Sequence, residues 1–185
     1  TFVYQLDSQA CFMHSSWYTG TTADSGFVSG VCQSDPSTWT VVLSQGYYGQ
    51  VDFGVAQTNA LFAASTNRIV RRFCFGCAPS HQEIYYRRIT PLPDGFSLYD
   101  NIAYAWGSAN NLLNVDFELY STYADAVART PSARWTYCSY DDPGVGFPRD
   151  CSPTESAIVT FQWNSFAGPK ASEGQPSVHF QVDFT

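Results

Sequence analysis

Arg68-Ile-Val-Arg-Arg-Phe-Cys-Phe75 and Gln82-Glu-Ile-Tyr-Tyr-Arg-Arg-Ile-Thr90 decide how this chain is read. Both runs are dense in β-branched and aromatic residues, and neither holds a glycine or a proline. Such side chains suit a pleated, half-buried surface. The segment between them carries the turn signal Ala78-Pro79-Ser80, where proline presets the backbone for a reversal. If the two strands pair antiparallel around Cys74–Ser80, they lie side by side in one sheet.

Working outward, the same pattern recurs before these two runs at 2–6, 27–32, 38–43 and 47–56. It returns after them at 98–106, 112–120, 134–140, 157–163 and 178–184. Turn signals separate these runs: Asp35-Pro36, Gln45-Gly46, Pro91-Leu-Pro-Asp-Gly95 and Gly168-Pro169. Short strands at this spacing predict an all-β fold, a β-sandwich or jelly roll of roughly ten antiparallel strands. One short helix is expected at 123–129, rich in alanine and stopped by Pro131. No stretch has the composition of a linker, so residues 1–185 read as a single domain.

Composition narrows the setting. Aromatics make up 17% of the chain and charged residues only 14%, the balance of an extracellular β-protein. The net charge of −7 repels nucleic acid, so no nucleic-acid partner is expected. No apolar run reaches the ~20 residues that span a bilayer, so membrane insertion is not expected either. Six cysteines predict three disulfides in a secreted chain. The local pairs favoured are Cys11–Cys32, Cys74–Cys77 and Cys138–Cys151. A chain beginning at Thr1 reads as a processed secretory protein.

Charge is unevenly spread. Residues 68–88 hold five of the eight arginines: Arg68, Arg71, Arg72, Arg87 and Arg88. If the two strands pair, some of these guanidiniums share a face. Their planar forks then suit sulfate, uronate or phosphate groups. Tyr85 and Tyr86 beside them can stack on a sugar ring. Tyr47, Tyr48, Trp106 and Trp163 lie in or beside predicted loops and are further candidates for stacking. The ligand-binding set expected is Arg71, Arg72, Tyr86, Arg87, Arg88, Trp106 and Arg149.

Arg149 belongs to the segment from Cys138 to Cys151, which carries Asp141, Asp142, Pro143, Gly144, Gly146, Pro148 and Asp150. Closed by a disulfide, it predicts a stiff, exposed loop presenting its charges. Asp141, Asp142 and Asp150 supply hard oxygens of the kind calcium takes. The competing reading is turn capping by aspartate with Arg149 as an ion-pair partner. Asn114-Val-Asp116-Phe-Glu118-Leu places two carboxylates on one strand face. Over a handful of residues it resembles the acidic strand of jelly-roll endoglucanases. Asn114 stands where that family has its first glutamate, and the family's last glutamate has no counterpart here. The resemblance implies a glycoside hydrolase or lyase using Asp116 and Glu118.

No serine-nucleophile elbow, zinc-helix motif or phosphate-cradling glycine loop occurs. His14, His81 and His179 are isolated in sequence and read as hydrogen-bonded structural residues. Three functions follow as expectations. The first is a secreted, non-catalytic, lectin-like domain that binds an extracellular polysaccharide or glycoprotein glycan, with calcium as a candidate cofactor. The second is a self-associating subunit of an extracellular filament, coat or capsid. The third is the carboxylate-pair hydrolase or lyase.

Overall fold

The computed structural model describes residues 3–6, 9–12, 39–171 and 173–184, the first two segments as backbone only. The chain divides into two units, Thr1–Ser37 and Thr38–Thr185. In the first, β1 (Val3–Leu6) pairs antiparallel with β2 (Gln9–Phe12), Val3 opposite Phe12 and Leu6 opposite Gln9. The expected strand at 27–32 and the expected Cys11–Cys32 bridge lie outside the described residues.

The second unit is built on one open antiparallel sheet. Its strands are β3 (Trp39–Gln45), β4 (Val51–Asp52), β5 (Ile69–Phe73), β6 (Glu83–Arg88), β7 (Phe117–Tyr120) and β8 (Val178–Asp183). The spatial order is β4-β3-β8-β5-β6-β7. The two strands expected within residues 68–90 form β5 and β6 and pair antiparallel, with Val70 opposite Tyr86 and Phe73 opposite Glu83. The last strand, β8, inserts between β3 and β5.

Three helices join the sheet: α1 (Gly54–Ala64), α2 (Leu98–Ala103) and α3 (Tyr123–Ala128). The fold is mostly antiparallel sheet, as expected, but it carries three helices where one was expected, and no ten-stranded sandwich is seen among the described residues. Among the described residues there is one six-stranded sheet, one two-stranded ribbon and helices. The misread segments have physical reasons. Residues 54–64 hold four alanines and a leucine, strong helix formers, and bury Thr58 and Phe62 on one stripe. Residues 98–103 follow Ser97, whose hydroxyl accepts from the Asp100 N–H at 3.1 Å. That N-cap satisfies an orphan donor and starts a helix with Leu98 and Ile102 buried. The third helix lies where the sequence placed one. It is capped by Thr122 at 3.1 Å and closed by Arg129 at φ 55. Residues 134–140 and 157–163 hold no strand; the first contributes only an isolated bridge from Tyr137 to Ser152.

Alternation along the strands sends one set of side chains into the main core. Val70, Ile84, Tyr86, Phe117, Leu119, Phe180 and Val182 pack there with Phe62, Leu98 and Ile102 of the helices. Much of the aromatic excess resides here as edge contacts and stacks: Tyr86 on Phe117 at 4.9 Å, and Trp106 on Phe147 at 4.7 Å. A smaller cluster, Ile69, Tyr85, Tyr120 and Ala126, lies on the opposite face beneath α3.

Both local disulfides within this unit are formed, Cys74–Cys77 and Cys138–Cys151. The loop closed by the second is only partly presented. Asp141 and Asp142 are exposed, but Val145, Phe147 and Arg149 are at most 2% exposed. Gly146 makes this possible. A Cβ there would strike the backbone carbonyls of Ile102 and Asn164, so the loop packs tightly against α2. Among the described residues no helix is long and apolar enough to cross a membrane.

Candidate functional site on the outer face of the sheet

The sheet has one face against the main core and one directed away from it. On the outward face of β5, Ile69, Arg71 and Phe73 alternate with the core-facing Val70 and Arg72. Arg71 stands between Tyr85 of β6 and Gln181 of β8; Phe73 stands between Glu83 and His179. The register thus brings together an arginine, a glutamate, a glutamine, a histidine and a phenylalanine from three strands.

Their contacts fix a polar row. Arg71 Nε lies 2.7 Å from Glu83 Oε1, and Arg71 Nη1 donates to Gln181 Oε1 at 3.3 Å. Tyr85 Oη donates to the same Glu83 oxygen. The Arg71 and Glu83 side chains are 28% and 35% exposed. A pair so open to water adds little stability, but it presets donors and acceptors at the surface. The Arg71 guanidinium also lies 5.5 Å over the Phe73 ring.

Rings border this row. His179 sits 4.7 Å from the Tyr48 ring and 5.4 Å from the Phe73 ring. Burial first, and the neighbouring Arg71 charge second, push its imidazole down to about 4, so it is neutral at pH 7. Its Nε2 is buried with no hydrogen-bond partner among the described residues. Tyr48 Oη accepts the Phe75 N–H at 3.0 Å, and Tyr47 meets the Tyr48 ring edge-on at 6.1 Å. The Cys74–Cys77 bridge and the Gln82 Nε2 to Phe75 carbonyl bond, 3.3 Å, hold the turn that carries Phe75. Phe75 is 64% exposed and Tyr47 57%. Large exposed rings beside a prearranged polar row are unusual on a solvated sheet face.

At its other end the same face is closed. There α3 covers Ile69, Tyr85 and Tyr120, and Glu118 is 1% exposed. Arg129 grips that carboxylate through Nε at 3.0 Å and Nη2 at 2.9 Å. Arg134 reaches it at 3.1 Å and Tyr120 Oη at 2.9 Å. Burial alone raises the carboxyl; the bonds from Arg129, Tyr120 and Arg134 outweigh it and hold Glu118 below the usual range. Asp116, the second acid of the pair, accepts the Leu112 N–H at 2.9 Å and lies 3.8 Å from Arg88. Both carboxylates serve as anchors in this arrangement.

The other residues singled out from sequence are dispersed. Arg72 is fully buried in the main core. Its guanidinium donates to the carbonyls of His81, 3.1 Å, and Gln162, 2.5 Å. Burial lowers it to about 9, which leaves it charged at neutral pH. Tyr86 and Trp106 are core residues, 3% and 2% exposed. Arg149 is 2% exposed and donates to the Trp106 carbonyl at 2.8 Å. Arg88 is 5% exposed and donates to the Asn110 carbonyl at 2.6 Å. Arg87 closes the end of α3, donating to the carbonyls of Ala126 and Val127 at 2.6 and 2.7 Å. His81 is buried, with Ser80 Oγ 2.8 Å from Nδ1 and the Cys151 carbonyl 2.9 Å from Nε2.

Asp141 hydrogen-bonds Ser139, which holds its carboxyl low, while burial and the neighbouring aspartates raise Asp150. Among the described residues no three His, Cys, Asp or Glu side chains are grouped to share a metal. Of the expected ligand residues, Arg71 alone joins the exposed-ring surface, together with the flagged Tyr47 and Tyr48. Sequence reasoning missed Glu83, Phe73, Phe75, His179 and Gln181. The alternation Arg71, Phe73, Phe75 was open to reading; the arrival of β8 alongside was not.

No protein-family model matches the chain, and no similar curated protein or solved structure is found.

Proposed function

We propose that the protein is a non-catalytic, extracellular glycan-binding domain whose recognition surface is the open end of the outer sheet face. One observation carries this reading: the exposed rings of Phe75 and Tyr47, 64% and 57% accessible, connect through Tyr48 and Phe73 to the hydrogen-bonded row Arg71, Glu83 and Gln181. Sugars present an apolar ring face edged by hydroxyls. A flat aromatic covers the former, and fixed charged or amide groups pair with the latter. Glu83 accepts and Arg71 donates, so neighbouring hydroxyls of one sugar find both kinds of partner. The two disulfides favour an oxidising, extracellular setting.

The test is an array of polysaccharides and glycoprotein glycans, probed with and without calcium. At least one glycan is expected to bind, and Phe75→Ala is expected to weaken that binding by about tenfold. An array without a single hit removes the reading.

A further inference from the structure

A cleft of about 490 Å³ opens where residues 65–68 face residues 87–91. Three arginines line it: Arg68, Arg87 and Arg88. Two are tied down by backbone oxygens. Arg87 holds the carbonyls of Ala126 and Val127, and Arg88 that of Asn110 with the Phe96 ring 4.8 Å away. Carbonyls orient a guanidinium without cancelling its charge. Among the described residues, the carboxylate ion-paired with one of the three is Asp116, 3.8 Å from Arg88.

Arg68 differs. Among the described residues its guanidinium has no hydrogen bond and no ion pair, although the chain carries 16 acids against nine Lys and Arg. Its backbone sits at φ 49, in the left-handed region that costs a side-chain-bearing residue roughly 1 kcal/mol or more. Two bonds hold it there: its N–H donates to Ser65 Oγ at 2.9 Å, and its carbonyl accepts the Arg88 N–H at 3.1 Å. The fold thus spends strain to keep an unpaired arginine on the wall of an arginine-lined cleft.

We propose that this cleft binds an oxyanion, a sulfate or phosphate ester or a carboxylate, with Arg68 as its forked ligand. The planar guanidinium offers two parallel donors to two oxygens of such a group. Arg87 adds to the local potential, while Asp116 offsets part of the Arg88 charge, so in a chain of net charge −7 the attraction is local. The site is separate from the ring surface and does not rest on the glycan reading.

The experiment titrates sodium sulfate, phosphate and glucuronate against sodium chloride at constant ionic strength, following backbone amide shifts. At least one oxyanion is expected to saturate, with millimolar affinity on the order typical of single fragments, and to shift residues around 65–68 and 87–91. The sulfate and phosphate arms report an ester ligand, the glucuronate arm a carboxylate. Arg68→Gly is the decisive variant because glycine adopts φ 49 without strain. It should fold at least as stably as the parent and bind at least tenfold more weakly. Arg68→Lys keeps the charge, loses the fork and should fall between. Equal binding by Arg68→Gly, or no oxyanion effect beyond chloride, overturns the proposal. Phe75→Ala should leave these shifts unchanged, so the oxyanion and glycan proposals fail separately.

Discussion

The two ends of the outer sheet face use the same kinds of residue for different ends. At the closed end, Tyr85, Tyr120 and Trp39 pack with α3, and Glu118 sits buried between Arg129 and Arg134. At the open end, Phe73, Tyr48 and His179 form a ring cluster while the Arg71–Glu83 pair stays in contact with water. The strands and the alternation are shared. What differs is the cover: α3 lies over one end, and Phe75 and Tyr47 remain exposed at the other. A carboxylate under cover anchors a fold, because Glu118 without its arginines would be stranded in a low dielectric, while Arg129 and Arg134 reach it from positions 48% and 36% exposed. An ion pair at the surface anchors little and presents groups to a partner.

The largest expected effect lies at the closed end. Glu118→Gln removes the charge that accepts bonds from Arg129, Arg134 and Tyr120 and is expected to cost about 3 kcal/mol in urea unfolding through those charge-assisted bonds, with glycan binding by the folded variant unchanged. A loss under about 1 kcal/mol would erase the difference between the two ends.

Next comes the pH response of the open end. The unfolded chain protonates His179 near its ordinary 6.5, the folded chain only near 4. Between those values the unfolded state binds more protons, so stability falls as pH drops from 6.5 towards 4 and levels off below. His179 is partly exposed, and its share is about 2 kcal/mol. Burial shifts His81 in the same direction, so the comparison is with His179→Gln, whose curve should be flatter across that window. Parallel curves for the two proteins would place His179 in ordinary solvent.

The smallest effect is expected from the surface ion pair. A double-mutant cycle on Arg71→Ala and Glu83→Ala should give a coupling of roughly 0.2–1 kcal/mol. A coupling of about 3 kcal/mol would make the open end a covered one.

How much of this was legible beforehand follows the range of the interactions. Strands β5 and β6 were readable because each is a run of β-branched and aromatic residues without glycine or proline. Helix α3 was readable from its alanines and the proline stop. Helix α2 is hard to read from sequence because the Ser97–Asp100 cap competes with the β-favouring Tyr99, Ile102 and Tyr104 that follow. Residues 157–163 read as a strand from composition alone, yet among the described residues no strand pairs with them, and Trp163 accepts a single backbone N–H, from Gln175 at 2.8 Å. The buried arginines mark a further boundary. Arg71 and Arg72 are adjacent and identical in type, and only the register sends one outward and the other into the core. The ring surface needs β8, which comes more than 100 residues after β5 in sequence and pairs with it through tertiary structure.

The most direct measurement is the affinity of one array-selected glycan for the parent, Phe75→Ala and Glu118→Gln proteins, by calorimetry on folded samples. The account predicts about tenfold weaker binding for Phe75→Ala and parental affinity for Glu118→Gln. Parental affinity for Phe75→Ala, or a loss confined to Glu118→Gln, would contradict it and move the site away from the open end of the sheet.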